Sequence, residues 1–371
     1  MHKKLMAAAV AGALMAPVTA FAASANVDFY GYFNAEYGFV SQMNAASGAS
    51  RESADAFNSG ASRMGFRTKE SLGGGLTAWA QCETQMNGVW STGTGQSGLC
   101  NRNTAVGLSG GFGNIYLGRW DSAMKKANGT TRMLAEAGWL GAANLMVQGI
   151  ASNGVEFDFS LRNTHSINYD SPNWGGFQLF VQTTTTNAAL NSTSTNVSGR
   201  LSSVAGVFKS GPFAVTAGYE EHSDNRSDSG LDSAKDTNMQ VGGTYKFGMF
   251  KVGLTYNAME ADSGAGVTTE KDSYNLALDI DLAGPGKIVL GYTQANDFEC
   301  TPACGTDNGA KQYQIGYEHS FSKRTTGALR YGAVDNDQNG TYNFTNLNQG
   351  TANVLPGEKG SVFVVQLIHT F

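Results

Sequence analysis

The chain predicts an all-β fold: a 16-stranded antiparallel transmembrane β-barrel with the third long loop folded into the lumen. Three observations carry this. Apolar and polar residues alternate along short segments, the period-two signature of strands with one apolar face. The links between segments alternate strictly between tight turns and long polar loops, around an even strand count. Beyond the N-terminal stretch no run of about 18 apolar residues occurs, so a membrane crossing here uses strands and not helices. Composition agrees, with 48 Gly, only 6 Pro and 15% charged residues among 371. Many short strands with Gly-rich turns indicate a sandwich or a barrel.

Residues 1–22 have a basic start at Lys3 and Lys4, an apolar middle and Ala20-Phe21-Ala22 at the end. That is the pattern of a secretory signal, with a small-x-small cleavage site. Ala23-Ser24-Ala25 fits as a second cleavage site. A single domain, 23–371, is expected after it. The formal net charge of −5 becomes −7 once Lys3 and Lys4 leave. That balance does not suit a nucleic-acid binder.

The first strand is read at 27–39, with Phe29, Phe33, Tyr37 and Phe39 on one face and Asp28, Tyr30, Tyr32, Asn34 and Glu36 on the other. A polar loop, 42–59, follows. Seven hairpins come next: 61–72 with 75–86, 102–109 with 114–120, 165–171 with 177–185, 199–209 with 213–221, 237–247 with 250–259, 272–282 with 287–295, and 311–321 with 325–334. Six of their turns hold Gly-Gly, Gly-Pro, Gly-Met or Pro-Gly, residues that supply the φ values tight turns need; the last is Ser322-Lys323-Arg324. A last strand, 361–371, closes the count at sixteen.

Alternation alone suits a soluble sandwich as well, with its apolar faces turned inward. Strands of about ten residues, aromatics near strand ends and the lack of a helical layer favour a membrane barrel. In lipid every backbone group must be paired, so the sheet must close on itself. Sixteen strands leave a water-filled bore, where about eight would be filled by side chains.

Four cysteines fit an oxidising compartment. Cys82 and Cys100 flank one predicted loop, and Cys300 and Cys304 lie within another. Of the three connectivities, the two local pairs are favoured. No second ligand pair lies near Cys300 and Cys304, so a metal site is not expected there, and neither is a cofactor. His165, His222, His319 and His369 are scattered, without a G-x-S-x-G or H-E-x-x-H motif. The acidic stretch 224–236 resembles a calcium loop faintly but lacks its twelfth-position Glu. An enzyme is therefore not expected.

The segment 122–161 breaks the pattern. It is long, and it mixes Lys125, Lys126, Arg132, Glu136, Glu156 and Asp158 with apolar Met133, Leu134, Trp139, Leu140 and Leu145. A loop of this length in a compact all-β protein is uncommon and usually functional. Its expected place is the barrel lumen, where it would form the constriction.

The mature chain resembles the trimeric general diffusion porins of Gram-negative outer membranes. The stretches that carry the resemblance are Val27-Asp28-Phe29-Tyr30-Gly31, Ser62-Arg63-Met64-Gly65-Phe66 and Tyr116-Leu117-Gly118-Arg119. The terminal Phe371, with Phe363, Val365, Leu367 and His369 before it, resembles the signal read by the barrel-insertion machinery. The resemblance implies a homotrimer in the outer membrane, in contact with lipopolysaccharide, passing ions and small hydrophilic solutes. It also implies wall arginines at Arg63, Arg102 (at the start of the fourth strand) and Arg162, facing a loop acid at Glu136. Ala135 stands where the family carries Pro. Arg132 stands where its mildly cation-selective members carry a second loop acid, and Tyr32 where some carry a wall Lys.

In a narrow pore, clustered charges set ion preference. One charge pair at about 4 Å is worth roughly 4 kcal/mol at an effective dielectric near 20, so single residues matter. Arg132 in place of an acid points to weak anion selectivity. An Arg132–Glu136 pair four residues apart, ordinary on a helix, is an equal reading. A substrate-specific channel or an adhesive barrel are the alternatives. Trp90, Trp120, Trp139 and Trp174 form no aromatic slide in the sequence and are read as girdle residues.

Overall fold

The computed structural model describes residues 26–41, 43–86, 98–135, 137–150, 156–159, 161–185, 199–223, 235–262, 266–301, 303–344 and 355–371. The expected signal at 1–22, Trp90, Glu136 and residues 224–234 of the acidic stretch lie outside them. Sixteen long antiparallel strands form one sheet: β1 (Asn26–Val40), β2 (Arg63–Gly73), β3 (Leu76–Gln85), β4 (Thr104–Gly110), β5 (Gly113–Asp121), β6 (Arg162–Asp170), β7 (Phe177–Thr184) and β8 (Arg200–Ser210), then β9 (Phe213–Ser223), β10 (Lys235–Phe247), β11 (Phe250–Asp262), β12 (Thr268–Asp281), β13 (Gly286–Ala295), β14 (Ala310–Ser320), β15 (Thr325–Asn336) and β16 (Lys359–Thr370). Each pairs with the next, and β16 returns to β1 in register from Tyr32↔Thr370 to Val40↔Val362. The sheet is a closed barrel.

The turns follow from their residues. Between β10 and β11 the register runs Phe247↔Phe250 across Gly248-Met249. Gly248 has φ 55°, a left-handed value that suits a two-residue hairpin and that glycine adopts without steric cost.

Burial along the strands is the reverse of a soluble protein's. On β14, Gln312 and Gln314 are buried while Tyr313, Ile315 and Tyr317 are exposed. On β16, Val362, Val364 and Gln366 are buried while Phe363, Val365 and Leu367 are exposed. Asn238, Asn257, Thr293 and Glu220 on other strands are fully enclosed. The apolar faces do not meet one another, as they would in a sandwich. They form the outer wall, suited to hydrocarbon, and the polar faces line the bore. Among the described residues no helix is long and apolar enough to span a membrane; the crossings are made by strands.

Two strand readings need correction. The region 42–59 is not all loop. Residues Ala54–Asn58 form a strand on the upper half of β1, while β2 takes the lower half. The ladder breaks at 59–62, where Gly60 and Ala61 have φ 45° and 61°. The short run A-D-A-F-N has the right alternation but is too brief to stand out between polar neighbours. The second correction is at Arg102, which precedes β4 by two residues instead of opening it.

The seam between β1 and β16 ends on the terminal residue. Phe371 and Gly31 exchange both backbone hydrogen bonds, each 3.2 Å. The Phe371 ring lies over Gly31, in the space a side chain there would take, with ring centroids 5.8 Å from Phe29 and 5.9 Å from Phe33. A half-exposed Phe stabilises by roughly 1 kcal/mol through burial. Gly31→Val should displace the ring and reduce the yield of heat-resistant folded barrel on semi-native gels. Phe371→Ala should weaken the seam by about that 1 kcal/mol, read as a lower denaturant midpoint.

Candidate pore constriction

The segment after β5 runs along the inner wall. Ser122 caps the short helix α1 (Ala123–Asn128), its hydroxyl accepting from the Lys125 N–H at 3.2 Å. Helix α1 packs on β7, β8 and β9. Lys126 at its end pairs with Asp170 and donates to the Tyr116 hydroxyl at 3.0 Å. Burial draws the Lys126 ammonium below its usual range, and the Asp170 carboxylate works against that. A second helical turn, α2 (Ala143–Met146), sits against β12, β13 and β14. Its last carbonyl, at Met146, accepts from Ser273 Oγ at 2.6 Å.

Between the two helices the loop circles the bore, and the wall meets it with glycines. Met124 lies on Gly218 and Thr131 on Gly242; Met133 lies on Gly253, Leu134 on Gly291, Trp139 on Gly38 and Leu140 on Gly332. At Gly38 and Gly291 the loop atom stands 2.5 Å from the place a Cβ would occupy, so any side chain there would force it inward. These glycines share the polar faces of their strands and not the exposed apolar ones, which places the loop inside the barrel. Its apolar side chains, with Val40, Val289, Val362 and Val364 of the wall, form the main buried cluster of the protein. Burial of the loop's apolar side chains is the main stabilising contribution here, at roughly 25 cal/mol per Å² removed from water.

The tip of the loop is hydrogen-bonded to β1. Glu36 Oε2 accepts from the Trp139 N–H at 2.8 Å, and Oε1 accepts from Asn34 Nδ2 at 3.0 Å and Gln366 Nε2 at 2.9 Å. Glu36 is buried, so each of these donors matters to a charge that water does not reach.

The three wall arginines expected from the sequence come together, Arg63 and Arg162 at the first residues of β2 and β6 and Arg102 two residues before β4. Arg102 Nε donates to Glu83 Oε1 at 2.8 Å and Arg102 Nη1 to Gln85 Oε1 at 2.9 Å. Arg63 lies 3.5 Å from the other oxygen of Glu83, with its guanidinium 4.5 Å from the Tyr32 ring centroid. Arg162 pairs with Asp121 at 3.1 Å, and its Nε donates to Asn103 Oδ1 at 2.7 Å. Lys125 of α1 reaches the same Asp121 at 3.6 Å. Arg132 is exposed on the loop and borders, with Lys125, Asn128 and Gln240, the crevice between loop and wall. Glu136 is outside the described residues. Asp158 accepts from Gln148 Nε2 at 3.1 Å, tying the short hairpin of Gln148–Ile150 and Glu156–Asp158.

Glu83 and Asp121, the counter-charges of this cluster, were missed in the sequence. The signal for Glu83 was parity: it shares the inward face of β3 with Gln81 and Gln85, two residues away on either side; Asp121, next to inward Trp120 at the end of β5, carried no such signal. The tryptophan reading needs correction too. Trp139 is buried on Gly38, and Trp120 packs with Trp79 and Tyr116 on the inner wall, centroids 5.8 and 5.0 Å away. These two are not girdle residues, because their strand faces look inward. Trp174 is exposed at the β6–β7 turn. Cys82 is bonded to Cys100 and Cys300 to Cys304, with Cα separations of 4.8 and 5.4 Å.

A closed even-stranded barrel, apolar outside and polar within, narrowed by an infolded loop, is the architecture of an outer-membrane channel. The chain belongs to the Gram-negative porin family, whose sequence model matches residues 7–339. It is 28% identical over 327 residues to outer membrane porin protein 32 of Delftia acidovorans, covering 88% of this chain and 87% of that one. It is 28% identical over 348 residues to the major outer membrane protein P.IB of Neisseria gonorrhoeae, covering 90% and 93%. Among solved structures, an anion-selective porin from Comamonas acidovorans superposes with a TM-score of 0.75 at 23% identity, over 94% of this chain and all of that one. The trimer form of OmpT from Vibrio cholerae superposes with a TM-score of 0.67 at 17% identity, over 94% and 100%. The protein is an outer-membrane porin, a passive channel for small hydrophilic solutes.

Gly332→Val should push Leu140 toward the axis and lower single-channel conductance, by roughly a third or more; adding Leu140→Ala should restore much of it. Glu36→Ala should leave the Trp139 N–H without its acceptor and loosen the tip, read as increased open-channel noise with the barrel still folded on semi-native gels.

Proposed function

We propose that this porin discriminates weakly in favour of anions, through an arginine-rich constriction. The observation that carries the reading is the local charge. Among the described residues of the cluster, five cations (Arg63, Arg102, Arg162, Lys125 and Arg132) stand against two carboxylates, Glu83 and Asp121. The whole chain is acidic, at −5, so the preference would come from placement and not from net charge. The Comamonas porin is itself anion-selective. Likeness to it carries the fold, and the selectivity argument for this chain rests on the arginines.

The working unit of this reading is a homotrimer, in keeping with a family that has trimeric members. Export through the periplasm uses residues 1–22 as a cleaved signal, Phe371 serves the insertion machinery, and lipopolysaccharide surrounds the outer leaflet. The inner wall presents charged and polar side chains for solute passage with no catalytic role assigned to them.

The test is the reversal potential across a planar bilayer in a KCl gradient, where the sign should report anion preference. Arg132→Glu should shift that potential toward cations by several millivolts, since replacing the cation by an anion reverses the sign of an interaction worth roughly 4 kcal/mol each way for an ion at about 4 Å and an effective dielectric near 20. An unchanged potential would place Arg132 away from the ion path.

A further inference from the structure

We propose that the Cys82–Cys100 disulfide positions Arg102 in the pore, so that the selectivity of the channel depends on that bond. This rests on the reading of Arg102 as part of an anion-favouring constriction. The regular ladder between β3 and β4 stops at Gln81↔Ala105. Above it the chain that carries Arg102 is held to β3 in another way. Cys100 is bonded to Cys82, one residue before Glu83. Cys100 N–H donates to Thr84 Oγ1 at 2.9 Å, Gln85 N–H to Asn101 Oδ1 at 2.8 Å, and Arg102 N–H to the Glu83 carbonyl at 2.9 Å. The covalent tether thus sits two residues before Arg102, on the strand that supplies both acceptors for its guanidinium.

Cys100 also has φ 60°, a left-handed backbone that residues with a Cβ avoid. The tether holds it there. Once the bond opens, Cys100 is released to an ordinary φ, and that rotation turns the following Asn101–Arg102 backbone away from Glu83. Without the tether this segment is held by the three hydrogen bonds above and the two from the guanidinium to Glu83 and Gln85, each a modest net contribution of about 0.5–1.5 kcal/mol, more where a charge takes part. The opening step is a two-electron reduction. A dithiol gives up two hydrogens and closes its own disulfide, while Cys82 and Cys100 each gain a thiol hydrogen. Cys100 is partly exposed, which gives a small reductant access.

The experiment uses the full protein with Cys300→Ser and Cys304→Ser, so that one disulfide remains. Reversal potentials are measured before and after dithiothreitol, with thiols counted by maleimide labelling and barrel integrity followed by gel mobility. The anion-to-cation permeability ratio is expected to fall by roughly two- to threefold, as for withdrawal of one cation from a narrow pore. Two thiols per chain, an intact barrel and an unchanged ratio would overturn the proposal. With Arg102→Gln added, reduction is expected to change nothing more; a further fall of the same size would show that the bond acts elsewhere and would also overturn it. If the oxidised protein prefers cations, the selectivity reading fails. Positioning of Arg102 still stands or falls on whether the ratio moves on reduction and stays put in Arg102→Gln.

Discussion

The packing of one loop against glycines on the inner wall is the contact on which the rest of this channel depends. A sixteen-stranded barrel by itself is wide, and its bore is set by whatever enters it. Here Met124, Met133, Leu134, Trp139 and Leu140 each rest where the wall lacks a side chain. Protein interiors are close-packed, so an added methyl group at such a site cannot be absorbed without moving the loop. The bore is therefore encoded twice, in the apolar residues of the loop and in the small residues opposite them.

That packing solves a second problem. A porin turns its greasy faces to lipid and has no ordinary core to organise it. The main buried apolar cluster in this protein is formed by the loop and the wall it covers. Three of the polar groups caught beneath are hydrogen-bonded: Ser273 Oγ donates to the Met146 carbonyl, the Thr131 and Thr216 hydroxyls bond each other, and Glu36 accepts from the Trp139 backbone N–H. Unpaired, each would be costly, because the loop screens it from water.

The arginines show how cations can stay in a tight cluster. Arg63 and Arg102 share Glu83, while Arg162 and Lys125 share Asp121. Each carboxylate is flanked by two cations, which holds the side chains in place and leaves a positive excess. Cation–π contact between Arg63 and Tyr32 adds a further support of about 0.5–1 kcal/mol. The same carboxylates that fix the arginines also moderate the field, in keeping with a weak preference and not a filter.

Strand number and the two-faced character of each strand were legible in the sequence, because side chains alternate with period two whatever surrounds them; the outward turn of the apolar faces was read from strand length and aromatics near strand ends, and closure from the need to pair every backbone group in lipid. Tyr313, Ile315 and Tyr317 against Gln312, Gln314 and Gly316 announce a two-faced strand without any tertiary information. The disruption after Ser122 was legible for the same reason, as a lapse of that period. What the linear chain could not decide was which residues meet across the bore. Glu83 looked like one more polar position until β2 and β4 closed on it, and Trp139 looked like a girdle residue until Gly38 received it. The strand Ala54–Asn58 is visible only as a partner for β1. Pairings between residues a hundred or more positions apart, such as Glu36 with Trp139, depend on barrel closure and on how deep the loop seats. Local periodicity holds no record of either; the glycines of the wall do, but only once the barrel is closed.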